Sequence, residues 1–132
     1  MKKLVSKIIA VCLICISLFS MSAFALMDYD EFVLDVPRLN GSVTTAEQKK
    51  SKTAYSGNII VEKVGGGKKI DCRMRDADNE AGAWVNDIMS GSDEPLLSRA
   101  SHVKGEMMHV YFSNKLTTVV DVTTSGEWRC DS

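Results

Sequence analysis

The chain has 132 residues, 45% of them hydrophobic and 25% charged, with 16 basic against 17 acidic residues and a formal charge of −1. That length suits one domain with a modest core, and the charge balance lacks the basic excess that nucleic-acid binding rewards through counterion release.

Residues 1–25 contain the three parts of a cleavable secretory signal. Positive charge at Lys2, Lys3 and Lys7 holds the amino end on the anionic cytoplasmic side. The apolar run from Ile8 to Phe19 enters the translocation site, and Ala23-Phe24-Ala25 presents small side chains where a signal peptidase reads them. A bilayer core needs about 20 apolar residues, and the run offers only about 12, too few for a membrane anchor. The Cys12-Leu13-Ile14-Cys15 spacing, a redox or zinc pattern in another setting, falls inside this discarded piece, and Val11 and Ile14 are the wrong residues to precede a lipidated cysteine. Cleavage before Leu26 removes three of the 16 basic residues and none of the 17 acids, so the formal charge becomes −4. The expectation is a secreted, extracellular, mildly acidic domain over residues 26–132, with no nucleic-acid partner and no stable membrane insertion after signal cleavage.

The mature part follows a period of two, which predicts strands. Phe32, Leu34 and Val36 alternate with Val33 and Asp35 until Pro37 ends the run, and residues 40–52 are polar, a solvated loop or an edge strand guarded by lysines. Asn58 to Val64 and Lys69 to Arg75 flank Gly65-Gly66-Gly67-Lys68 and predict a hairpin, because glycine supplies the positive φ of a tight turn. In the second run Ile70, Cys72 and Met74 share one face, while Lys69, Asp71, Arg73 and Arg75 share the other. The glycine cluster is not a phosphate-binding loop, since Glu62 stands where the earlier glycine is required and Lys69 where Ser or Thr is. Trp84 to Met89, Leu96 to Val103, Met107 to Phe112 and Thr117 to Thr124 predict further strands. Six to eight short strands with turn signals between them predict an all-β fold, a small antiparallel β-sandwich or barrel.

Two cysteines, Cys72 and Cys130, remain in the mature part. An even count in an exported domain predicts one disulfide between them, which would close a long loop, contribute about 4 kcal/mol and bring the last strand close to the third.

Asp76, Asp78, Glu80 and Asp87 imitate the spacing of a calcium loop, with hard oxygen ligands for a hard cation, but Ala81 occupies the position that needs glycine for the sharp turn. Calcium is the one cofactor this pattern admits. His102 and His109 lie on different elements without a nearby cysteine and make no zinc set. No serine has a G-x-S-x-G setting, so the chain reads as non-enzymatic. Asn40-Gly41-Ser42 matches a glycosylation acceptor. Among the aromatic residues Phe112 is expected in the core and Tyr111 outside it beside His109. Tyr111, His109, Trp84 and Trp128 are the candidate binding residues, set against the expectation that both tryptophans fill the core.

In size, leader and β-rich pattern the chain resembles secreted bacteriocins of the lactococcin 972 type; the likeness is one of outline, and no residue is carried over from it. The reading that follows is a secreted, non-enzymatic β-domain that binds a protein or a cell-surface polymer. The alternatives are an antibacterial or toxin-like protein, which the resemblance implies, and a small secreted enzyme.

Overall fold

The structure, a computed structural model, describes residues 28–131, so the secretory signal expected over residues 1–25 lies outside the described residues. Within them are nine strands: β1 (Asp30–Val36), β2 (Ser42–Thr44), β3 (Gln48–Lys49), β4 (Gly57–Val64), β5 (Ile70–Asp76), β6 (Val85–Ile88), β7 (Asp93–Leu96), β8 (Met107–Asn114) and β9 (Val122–Arg129). They form two sheets in the order β1-β9-β4-β7 and β2-β8-β5-β6, with β3 also on β8. All pairings are antiparallel. The two sheets form a sandwich and not a closed barrel.

The period of two explains the packing. Ile70, Cys72 and Met74 of β5 and Met108, Val110 and Phe112 of β8 point inward from one sheet, and Phe32, Val36, Ile59, Val61, Val122 and Trp128 point inward from the other. Phe32 and Phe112 meet across the gap with ring centroids 5.2 Å apart. Gly126 sits mid-strand in β9, opposite Phe32 on one side and Val61 on the other, where β4 shifts register. A Cβ there would lie 2.1 Å from the Ile60 carbonyl oxygen, so only glycine lets the bulged strand approach.

Five expectations need correction. The strands around the glycine cluster are not a hairpin, since β4 pairs with β7 and β9 while β5 pairs with β6 and β8. The turn at Gly65–Gly67, with Gly66 at φ 64° and Gly67 at φ 63°, instead carries the chain from one sheet to the other. The last strand starts at Val122, and Thr117 to Asp121 belong to the loop before it; Leu97 to Val103 is likewise loop, the strand being Asp93–Leu96. Residues 40–52 do form the broken edge β2 and β3, but Lys50 is buried rather than a solvated guard. Finally, Cys72 and Cys130 are not joined by a disulfide, and each keeps its thiol. Cys72 pairs with Phe112, which packs on Phe32, which in turn pairs with Gly126, so Cys72 lies level with Gly126 in the opposite sheet. Cys130 follows four residues later, on the order of 13 Å further along the strand and about 10 Å across the sandwich. A bridge tolerates about 7 Å between Cα atoms.

The carboxyl end is instead held by a polar clasp. Lys50 Nζ donates to Asp131 Oδ1 (2.8 Å), to the Cys130 carbonyl (3.1 Å) and to the Tyr55 carbonyl (2.5 Å), which uses all three of its protons. Asp131 Oδ2 also accepts from the Ser51 N–H (2.6 Å) and hydroxyl (2.9 Å). Burial works to raise the Asp131 carboxyl, but the hydrogen bonds from Lys50 and Ser51 together outweigh it and hold the group below its ordinary value. Gln48 completes the clasp: its Nε2 donates to the Trp128 carbonyl (3.0 Å) and to Asp30 Oδ2 (2.8 Å), and its Oε1 accepts from the Cys130 N–H (2.8 Å).

Burial pushes the Cys72 thiol far above its ordinary value and the Cys130 thiol up to about 12. Both should therefore resist an aromatic disulfide reagent in the folded chain from Leu26 onward and react only in denaturant. Mass spectrometry should find no change on reduction; a gain of two hydrogens would restore the disulfide. Lys50→Met leaves Asp131 buried without its partner and should cost about 3 kcal/mol of unfolding free energy, whereas Lys50→Met with Asp131→Leu should cost less than either single change. Equal or additive losses in denaturant titrations would show that the pair does not act as a unit. Because the Asp131 carboxyl is depressed, its contribution should be intact above the unfolded carboxylate value near 3.9 and fade as pH falls through the folded one.

Candidate functional site

The outward residues of β5 and β8 build a single continuous row. Antiparallel register sets Arg73 opposite Tyr111 and Arg75 opposite His109, all facing away from the core because their neighbours Cys72, Met74, Val110 and Phe112 face inward. Trp84 joins from the residue before β6, whose Val85 pairs with Cys72, and Thr44 of β2 stands opposite Tyr111 on the far side.

Arginine and aromatic side chains alternate along this row. The Arg73 guanidinium carbon lies 4.2 Å from the centroid of the Trp84 ring and 5.8 Å from that of Tyr111, and the Arg75 carbon lies 3.6 Å from Tyr111. Trp84 and Tyr111 themselves meet edge to face at 6.0 Å. Such stacking fixes each guanidinium in a plane and holds its stem down on the sheet. Neither arginine has an ion pair among the described residues, where the pairs are Lys50 with Asp131 and Lys115 with Asp71 and Asp87. The Nε of each is shielded from solvent without a hydrogen-bond partner. Burial first, and then the Arg75 charge beside it, pull Arg73 below the ordinary guanidinium value. Two preorganised cations whose charges repel, and which have no carboxylate between them, form a site that gains energy from an anion.

The other sequence candidates fall elsewhere. Trp128 is 1% exposed and belongs to the core, whereas Trp84 is 40% exposed, so the expectation that both tryptophans are buried holds for one and fails for the other. The carboxylates of the calcium-like spacing are not brought together. Asp76 Oδ1 accepts the N–H groups of Asp78 and Glu80 in a tight turn, while Asp87 lies at the other end of the sheet against Lys115 (3.1 Å). No group of three or more His, Cys, Asp or Glu able to hold a metal occurs among the described residues. His102 is a buried pin: its Nδ1 accepts the Arg99 N–H (3.1 Å), so its Nε2 carries the proton donated to the Glu80 carbonyl (2.9 Å), which joins two loops.

Arg73 and Arg75 were visible in the sequence as the polar face of their strand, but nothing marked them as a site. Their pairing with Tyr111 and His109 spans more than 30 residues of chain, and local alternation carries no information about which strand lies alongside.

His109 lies below the ordinary imidazole value, through burial first and the Arg75 charge second, against opposing pulls from Glu47 and Asp76. Its folded form thus holds a proton less readily than the unfolded chain, and its contribution to stability should be intact above about pH 6.5 and decline as pH falls through the unfolded value toward the folded one. An NMR titration should place the His109 midpoint below that of a free histidine, and Arg75→Ala should raise it; an unmoved midpoint would mean that the guanidinium does not face the ring.

Comparison of the chain with protein-family models and with curated proteins gave no match.

Proposed function

We propose that this chain is an exported, non-enzymatic binding domain that engages an anionic group of a protein or cell-surface polymer through the outer face of β5 and β8. The observation that carries this reading is the row Trp84, Arg73, Tyr111, Arg75, in which the two guanidiniums are stacked and fixed yet lack a carboxylate partner among the described residues. A guanidinium stays charged at any working pH, so the row suits recognition of carboxylate or phosphate rather than proton transfer. The rings on either side exclude water and offer apolar edges to a sugar or an aliphatic side chain. His109 adds a further positive charge at the end of the row as pH falls, so affinity for an anion should rise on acidification.

The test uses the chain from Leu26 onward, with immobilised polygalacturonate as a carboxylated polymer, polyglycerol phosphate as a phosphorylated one and dextran as the neutral control. The protein should be retained on at least one polyanion and not on dextran. Arg73→Ala with Arg75→Ala should weaken retention about tenfold or more while circular dichroism shows the fold retained, since a charge-assisted hydrogen bond contributes about 1.5–3 kcal/mol. Retention on neither polyanion, or equal retention of the double variant, would overturn the reading.

A further inference from the structure

The two outer faces of the sandwich carry opposite charge at their centres. In the β1-β9-β4-β7 sheet Phe32, Ile59, Val61 and Trp128 point inward, so Glu31, Glu127 and Ile60 beside them point outward, as does Asp93 opposite Ile60. Register sets these four in one line across the sheet: Glu31 opposite Glu127, Glu127 opposite Ile60, and Ile60 opposite Asp93. Val33, 74% exposed, is the next outward residue of β1, and Asp35 follows it. Asp93 accepts a hydrogen bond from Asn58 (2.9 Å), which leaves its charge in place. The cations of this face stand off the line: Lys63 pairs with Ser125, and the Arg129 guanidinium lies 4.6 Å from the centroid of the Tyr29 ring at one end. Neither Glu31 nor Glu127 has an ion pair among the described residues, and like charges directly opposite on neighbouring strands cost stability.

The arginine row is the counterpart on the other sheet. Acids stand at the ends of that face, Glu47 and the turn after Asp76 at one, Asp71 with Asp87 against Lys115 at the other. Its middle is Arg73, Arg75 and the rings stacked on them. Val64 joins Ile70 through the glycine turn, so both sheets start from one end, and Cys72 lies level with Gly126. Arg73 and the Glu31–Glu127 pair are each one residue further from that end, so they stand at the same height on opposite faces. Each set is a like-charge arrangement that the other would relieve. Two copies meeting through the same face would bring four guanidiniums, or four glutamates, together, so the complementary contact is arginine face on glutamate face. That contact is heterologous, and because the two faces point in opposite directions a stack of copies does not close.

We infer, building on the reading of the row as an anion site, that its protein partner is the glutamate face of a second copy, so that sandwiches stack head to tail with Arg73 and Arg75 of one copy against Glu31 and Glu127 of the next. Trp84 and Tyr111 then meet Val33 and Ile60, which places apolar contact between the charges. Four strands about 4.8 Å apart and about 20 Å long make a face of roughly 400 Å², or about 800 Å² over both partners. This is the low end for a specific contact, so stacking is reversible, needs high local concentration and yields to salt. A polyanion takes the same guanidiniums, so it competes with stacking and disassembles it.

The experiment is small-angle X-ray scattering on the chain from Leu26 onward, which retains every described strand and the whole core, from about 10 µM to about 1 mM, the range that an interface of this size calls for. The mean mass should grow past the dimer with concentration, and fall with added salt or polyglycerol phosphate. Glu31→Gln with Glu127→Gln, and Arg73→Ala with Arg75→Ala, should each weaken association about tenfold or more while circular dichroism shows the fold retained. Mixed one to one, the two variants should form a dimer and nothing larger, because one offers only the arginine face and the other only the glutamate face. Absence of association in the parent, growth that stops at a dimer, association that survives either variant, or a mixture that stays monomeric would each overturn the inference. The glutamate variant keeps the arginine row, so its retention on a polyanion should equal or exceed the parent's. Retention of the parent on a polyanion without self-association would sink the stacking and leave the anion site standing; lack of retention with self-association absent as well would sink both.

Discussion

Lys50 carries its charge to a place where water cannot reach it, and the sandwich closes around that fact. A buried ammonium is costly unless its protons are donated and its charge is met, and here two carbonyls and the Asp131 carboxylate do both. The partners come from opposite sheets: Lys50 follows β3 on the edge of one, while Cys130 and Asp131 follow β9 at the centre of the other. Gln48, two residues earlier, spans the same gap to Trp128, Asp30 and the Cys130 N–H. The clasp therefore defines how the β3 edge lies over the open end of the sandwich. The edge itself is broken earlier, at residues 45–47, where Thr45 donates its N–H to the Val110 carbonyl (3.0 Å) and its hydroxyl accepts the Val110 N–H (2.9 Å).

The same clasp stands where a disulfide was expected. That expectation rested on an even cysteine count in a domain read as exported, and the bridge was to tie the carboxyl terminus into the core. That function is filled by Asp131, with Cys130 contributing its backbone N–H and carbonyl to the clasp. Its thiol donates toward the Lys49 carbonyl and Asp131 Oδ2 (3.6 Å each), whereas that of Cys72 packs as a small apolar group among core side chains.

Much of the fold was legible because alternation is local. Phe32 to Val36, Ile70 to Met74 and Met108 to Phe112 bury the residues that the period of two selects, and Tyr111 and His109 face outward as the same rule requires. What was hidden is what alternation cannot encode. A glycine turn that closes a hairpin and one that crosses between sheets look alike in sequence, because both need only positive φ at Gly66 and Gly67. Lys50 reads as an ordinary surface lysine until Asp131 is known to be beside it. The arginine row depends on register between β5 and β8, and a slip of one residue would turn Arg73 and Arg75 into the core.

Overall charge and local charge also part company. Outside residues 1–25 the chain holds 13 basic against 17 acidic residues, yet Arg73 and Arg75 stand side by side on the outer face of β5 and β8 without an ion pair among the described residues, while several acids are spent on internal duties. Asp131 neutralises Lys50, Asp76 caps its own turn, and Asp71 and Asp87 share Lys115. An acidic body around one cationic row suppresses indiscriminate adhesion to polyanions and leaves that row as the place where an anion gains most, a gain that added salt screens.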